Sequence, residues 1–126
     1  MGVVMRAIIF ALAVAVSALS GSPSFAADER NVTIVNGTGY GIKFLGFNKP
    51  GDNDWSDNEI SSVLEDGDDV YVKFNEADKG CKWNIRISWS MAGYPDVLWR
   101  NIDLCELEVL TLKYDRASDT TSFTGR

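Results

Sequence analysis

Between Cys81 and Ser90 the chain reads CKWNIRISWS, with Trp83, Ile85, Ile87 and Trp89 at every second position. A period of two is the pleat of a β-strand, whose successive side chains point to opposite faces. A helix would scatter these four residues around its circumference, so the stretch commits to a strand with one buried face. Lys82, Asn84, Arg86 and Ser88 then occupy the other face.

The same alternation recurs in short runs separated by Gly, Asn, Asp or Pro, which is the pattern of an antiparallel β domain. It predicts strands near 32–35, 40–47, 69–75, 82–90, 97–104 and 107–114, with a weak last strand at 120–124. The expected core stripes are Tyr40, Ile42 and Phe44; Val70, Val72 and Phe74; and Leu110, Leu112 and Tyr114. Residues 59–64 read as a short helical turn or an edge strand, and the chain from Lys113 onward as a polar tail that frays. NGTG at 36–39 reads as a hairpin connection and EDGDD at 65–69 as a second tight turn, because Asn and Gly tolerate positive φ. Six or seven short strands in roughly 100 residues predict an all-β fold, an antiparallel two-sheet β-sandwich of immunoglobulin-like or jelly-roll-like type.

Cys81 and Cys105 are the two cysteines of the chain. CKWNIRISWS and VLWRNIDLC flank a turn centred on Gly93, so a hairpin folded there brings both sulfurs together at its open end. In the chain-entropy model, closing a loop of this size stabilises a domain by roughly 3 to 4 kcal/mol. Symmetric pairing about Gly93 sets Asn101 opposite Ile85 and Asp103 opposite Trp83, which leaves Leu98, Ile102 and Leu104 on the wrong face. A one-residue bulge near Arg100 or Asn101 restores Ile102 and Leu104 to the apolar side and is predicted on that ground.

Residues 1–26 stand apart from the fold. A lone Arg6, the apolar run from Ala7 to Leu19 and then SPSFA are the three zones of a secretory signal peptide, cleaved after Ala26. The run is shorter than the roughly 20 apolar residues of a membrane span. The expectation is one β domain over 27–126, periplasmic or secreted, not membrane-inserted after cleavage, with a disulfide suited to an oxidising compartment.

The whole chain carries a net charge of −6, and loss of Arg6 with the signal peptide leaves the mature domain more negative still. Scattered basic residues in an acidic chain leave no footprint for nucleic acid. The chain has no histidine, which removes the Ser-His-Asp and Cys-His arrangements and His-ligated zinc. Paired cysteines remove a thiolate nucleophile, and GTGYGIKFLG lacks the helix start that would cradle a phosphate. What is left is a non-enzymatic binding or interaction module for an unknown protein or carbohydrate partner. Alternatives are a small hydrolase using an Asp/Glu pair, a calcium-modulated binder and a secreted host-directed factor.

NKPGDNDWSDNE, 48–59, is the candidate metal loop. Asp52, Asp54, Asp57 and Glu59 offer the hard oxygens that calcium takes, with Asp66, Asp68 and Asp69 as supplementary ligands. The EF-hand pattern fails at Asp57, where that loop has Gly, and at Val63, where it has Glu. DNDWSD approaches the βγ-crystallin calcium loop but ends in Asp in place of Ser. The plainer reading is a solvated turn pinned by Trp55. A second candidate surface is aromatic: Trp55, Tyr94 and Trp99 form an exposed platform for a sugar or protein, unless Trp99 covers the second sheet and Tyr94 caps its own turn.

Three segments in this order resemble a family of small secreted or periplasmic bacterial proteins. They are Asn36 to Ile42, an acidic loop reaching Asp54-Trp55 together with Leu64 to Gly67, and Trp99 to Cys105. The family pattern runs Asn-x-Thr-Gly-Tyr-x-Ile, then Asp-Trp-Gly, then Trp-Arg-Gly-x-Asp-Leu-Cys. Ser56 and Asn101 stand here where Gly is usual, and the second departure bears on the predicted bulge. The resemblance spans about 36–112 and implies an exported β domain without a defined activity.

Overall fold

The computed structural model describes residues 30–75 and 77–126, so the signal-peptide reading of 1–26 lies outside the described residues. Seven strands follow in order: β1 (Val32–Asn36), β2 (Ile42–Asn48), β3 (Asp69–Val72), β4 (Lys82–Trp89), β5 (Val97–Asp103), β6 (Val109–Asp115) and β7 (Thr120–Gly125). A 3₁₀ turn, Leu104–Glu106, follows β5. The strands form two sheets, one ordered β3-β1-β6-β7 and the other β2-β4-β5. All pairs are antiparallel except the central β1 and β6, which run parallel. The fold is therefore the expected β-sandwich, with one parallel pair that local alternation does not foretell.

Between the sheets lie Val32, Ile34, Leu110 and Leu112 from one side and Leu45, Phe47, Ile85, Ile87, Trp83 and Trp89 from the other. Fully burying such side chains stabilises each by roughly 1.5–3 kcal/mol, and this face-to-face contact holds the sheets together.

The NGTG segment is not a hairpin turn. β1 and β2 belong to different sheets, and 37–41 carries the chain across the core. β1 sits between β3 and β6 and β2 beside β4, so the core stripes of β1 and β2 meet across the sandwich. Fully buried Asn36 fixes this crossing. Its Nδ2 donates to the carbonyls of Tyr40 and Leu64, both at 2.8 Å, and its Oδ1 accepts from the amide and hydroxyl of Thr38.

The predicted bulge is present. Ile87 pairs with Val97 and Ile85 with Trp99, after which the register slips so that Trp83 meets Ile102. Asn101 takes φ 53°, in the left-handed region that Asn tolerates better than most residues. The hairpin is centred earlier than symmetric pairing about Gly93, so Val97 and Trp99 face the core before the bulge, and Ile102 and Leu104 after it. Trp99, with 2% of its surface exposed, is a core residue. A second bulge lies between Ile42 and Phe44. It turns Phe44 outward, away from the stripe expected for it, while Ile42, Leu45 and Phe47 line the core.

Cys81 and Cys105 form the disulfide, Cα to Cα 5.2 Å, where β4 begins and β5 has just ended. The polar C-terminal stretch pairs instead of fraying. β6 and β7 form a hairpin, and backbone bonds link Val109 and Arg126 in both directions. Residues 59–64 are neither helix nor strand, touching β2 by an isolated bridge between Leu64 and Ile42.

Candidate functional site

The acidic loop is organised by its neutral residues. Asn58 accepts at Oδ1 from the amides of Leu45 (3.0 Å) and Ile60 (3.2 Å), and its Nδ2 donates to the Lys43 carbonyl at 3.0 Å. Ser56 Oγ accepts from the Phe47 amide at 3.0 Å, while the Ser56 amide donates to the Phe47 carbonyl at 2.9 Å. The Glu59 amide donates to the Leu45 carbonyl at 2.9 Å. Together these bonds line the outer edge of β2, so 56–60 stands in for a neighbouring strand without being one. Sequence reasoning misses Ser56 and Asn58. Their signal is their position between acids, in a segment long enough to run back along the preceding strand.

The four candidate metal ligands are strung along this segment. Asp52 closes a turn onto Lys49, and its Oδ1 accepts from the Asp54 amide at 3.5 Å. Among the described residues, the group of three or more ligand atoms within 4.8 Å of one another is Cys81, Asp103 and Cys105. Its sulfurs are consumed by the disulfide. Asp52, Asp54, Asp57 and Glu59 thus do not converge in this geometry. Glu59 is the perturbed member: burial raises its carboxyl pKa above the ordinary 4.5, a Ser56 hydrogen bond opposes this, and the negative Asp57 and Asp78 add to the rise.

Trp55, Tyr94 and Trp99 do not form one surface. Trp99 is in the core, its Nε1 donating to the Ser122 carbonyl at 2.8 Å and so tying β5 to β7. This corrects the platform expectation, because the bulge that follows Trp99 permits it and Ile102 to share the buried face. Trp55 lies on the outer face of the β2-β4-β5 sheet, where the Arg86 guanidinium carbon sits 4.8 Å from its ring centroid and 5.1 Å from that of Phe44. Arg86 is further paired with Asp96 at 3.9 Å.

Tyr94 belongs to a different cluster, formed where three loops meet. Arg116, from the β6–β7 turn, places its guanidinium 3.6 Å from the Tyr40 centroid, 4.0 Å from Tyr94 and 5.2 Å from Trp89. Trp89 in turn packs against Tyr40 and Tyr114. The arginine occupies the space among these rings, so the cluster is a cation–π staple between loops. Nothing in local sequence marks Arg116, which is far from its partners along the chain.

A concavity with room for a partner lies beyond the outer edge of β2, on the side away from β4. A cleft of about 740 Å³ opens between 58–64 and the start of β3, lined by Glu59, Asp68 and Asp69 together with apolar Ile60, Val63 and Leu64. Its lining includes no lysine or arginine. One wall is β3, an end strand of its sheet.

No protein-family pattern, curated protein or solved structure was found to match this chain.

Proposed function

We propose that this protein is an exported, non-enzymatic binding module that engages its partner through the cleft between 58–64 and β3. The observation carrying this reading is an open, acid-lined cleft of about 740 Å³ beside a sheet edge, in a chain with no histidine and no free cysteine. A disulfide is compatible with export, as is the absence, among the described residues, of a helix long and apolar enough to cross a membrane. Periplasmic or secreted residence belongs to the same proposal.

The test is amide chemical-shift mapping of the oxidised protein against small-molecule and peptide panels, run alongside turnover assays. Shifts gathered on 58–70 are expected, with no turnover. Hits confined to another face would remove the cleft from the reading. Turnover by pure protein, abolished in Glu59→Gln, would make it a carboxylate enzyme.

A calcium-modulated module is the second reading, favoured by one observation: Glu59 stands in the field of Asp57 and Asp78, a like-charge arrangement that a divalent cation relieves. Calcium would then use Asp57 and Glu59, with Asp52 and Asp54 drawn in by loop closure. A saturable, EDTA-reversible rise in the unfolding midpoint supports this reading. An unchanged midpoint at millimolar calcium removes it.

A further inference from the structure

The backbone of β3 identifies which of its peptide groups lack a neighbour. On β1, the Asn36 amide donates to the Asp68 carbonyl at 2.9 Å, toward β3, while the Thr33 amide donates to the Glu108 carbonyl at 2.9 Å, toward β6. Peptide groups alternate sides along a strand. The even-numbered residues of β1 therefore bond to β3 and the odd-numbered ones to β6. With Ile34 opposite Val70 and Thr33 opposite Tyr71, Val70 and Val72 spend their peptide groups on β1. Asp69 and Tyr71 direct theirs away from the sheet, and among the described residues no strand pairs with that edge. An unpaired edge of this kind is a template for strand addition.

The surroundings of the edge specify the chemistry of an added strand. Glu59, Asp68 and Asp69 line the cleft with no basic residue beside them, and the nearest cation along the strand is Lys73, just past its end. Apolar surface is interleaved with the acids: Tyr71 is 61% exposed and Val63 41%. A second copy of this chain is a poor occupant, since it brings the same acid-lined cleft to the edge and a net charge of −6 of its own. We infer that β3 takes an extended peptide alternating basic and apolar residues as a fifth strand. Its main chain pairs with Asp69 and Tyr71, its cationic side chains share the face of the sheet that carries Asp69, and its apolar ones take the opposite face, the side of Val70 and Val72, where Ile60 and Leu64 also line the cleft. The inference rests on the cleft reading above and names the partner class for it.

The test is fluorescence anisotropy of an end-capped, fluorescein-labelled octapeptide of alternating lysine and valine, titrated with the oxidised full chain. Saturable binding is expected, weakened by added salt and by Asp69→Asn, and absent for the matching glutamate–valine peptide. Tyr71→Pro removes only an outward-facing N–H and is expected to weaken binding at least about tenfold, the scale of one lost hydrogen bond in a low-dielectric contact. Peptides N-methylated at alternate residues report the same main-chain pairing without altering the protein, whether or not the proline variant folds. The lysine–valine peptide should lose binding when methylated in one register and keep it in the other.

Equal binding of both methylated peptides would overturn strand addition while leaving an acidic cleft that binds cations. No saturable binding of the lysine–valine peptide, with other ligands still shifting 58–70, would overturn the peptide class alone. Shifts from every ligand that avoid 58–70 would overturn the cleft reading as well.

Discussion

The two sheets each end in a strand that borders the same side of the sandwich, and the chain treats these two edges differently. The outer edge of β2 is sealed: Ser56, Asn58 and Glu59 satisfy Lys43, Leu45 and Phe47, and Leu64 bridges Ile42. The outer edge of β3 has no such cover among the described residues, and its vicinity carries Glu59, Asp68 and Asp69. Unpaired edges invite association with other chains, and natural sheets manage this by covering them or charging them. One edge here is covered and the other charged. Covering closes an edge to every partner, whereas charge of one sign closes it to like partners and leaves it open to opposite ones.

The most forceful way to break this comparison is a matched pair of prolines on β3. Val70→Pro removes an N–H that points to β1 and leaves the Ile34 carbonyl without its donor. It should cost about 3 kcal/mol or more once the lost bond and disturbed pairing are combined. Tyr71→Pro removes an N–H that points outward and should cost about 1 kcal/mol or less. Urea unfolding of both variants measures the gap, and equal losses would mean that the β3 edge is not free.

On the sealed edge, Asn58→Ala strips the acceptor from two amides and the donor from one carbonyl. A loss of about 2 to 3 kcal/mol is expected. The opened β2 edge should also reveal itself as concentration-dependent association in light scattering, stronger than that of the wild-type protein. Ser56→Ala removes the acceptor of the Phe47 amide and an exposed donor to the Asp57 carbonyl, and should cost about 1 kcal/mol. If it costs as much as Asn58→Ala, the seal is cooperative along its length and not a row of separate bonds.

The smallest effect belongs to Glu59, which stands between the two edges. Its carboxyl pKa is raised in the folded state, chiefly by burial, so the folded protein holds this proton more tightly than the unfolded chain does. The stabilising contribution is full below the unfolded pKa and is lost as pH rises through the raised folded value. Glu59→Gln should therefore raise the unfolding midpoint at pH 7, by the equivalent of less than about 1 kcal/mol for a partly exposed side chain. The gain should vanish in acid. A variant that is less stable at pH 7 would show that the Glu59 carboxylate makes a net favourable contact.

Much of the fold is legible because alternation is local. Trp83, Ile85, Ile87 and Trp89 identify β4 and its buried face, and the wrong-face position of Ile102 in a hairpin with that strand identifies the β5 bulge. Trp99 escapes the same reading for a related reason. Its own step of three to Ile102 marks a switch of face, and once that step is assigned to the bulge both residues are core. The same step of three, from Ile42 to Leu45, marks the β2 bulge, but the apolar Phe44 between them completes a false stripe and hides it. The sites are less legible. Arg116 meets Tyr40 and Tyr94 only after three loops converge, and Asn58 finds Leu45 and Lys43 only after its segment reverses along β2.

By itself, then, the sequence determined the strands, most of their buried faces, the pairing of Cys81 with Cys105 and the need for a bulge in β5. Each follows from the two-residue pleat and from the short loop between neighbouring strands. Tertiary structure alone decided that β1 and β2 lie in opposite sheets, that β1 runs parallel to β6, and that one edge is covered while the other is exposed. A pleat dictates which side chains share a face but is indifferent to what lies across from that face. The latter depends on how several apolar stripes, distant in sequence, bury one another at the same time.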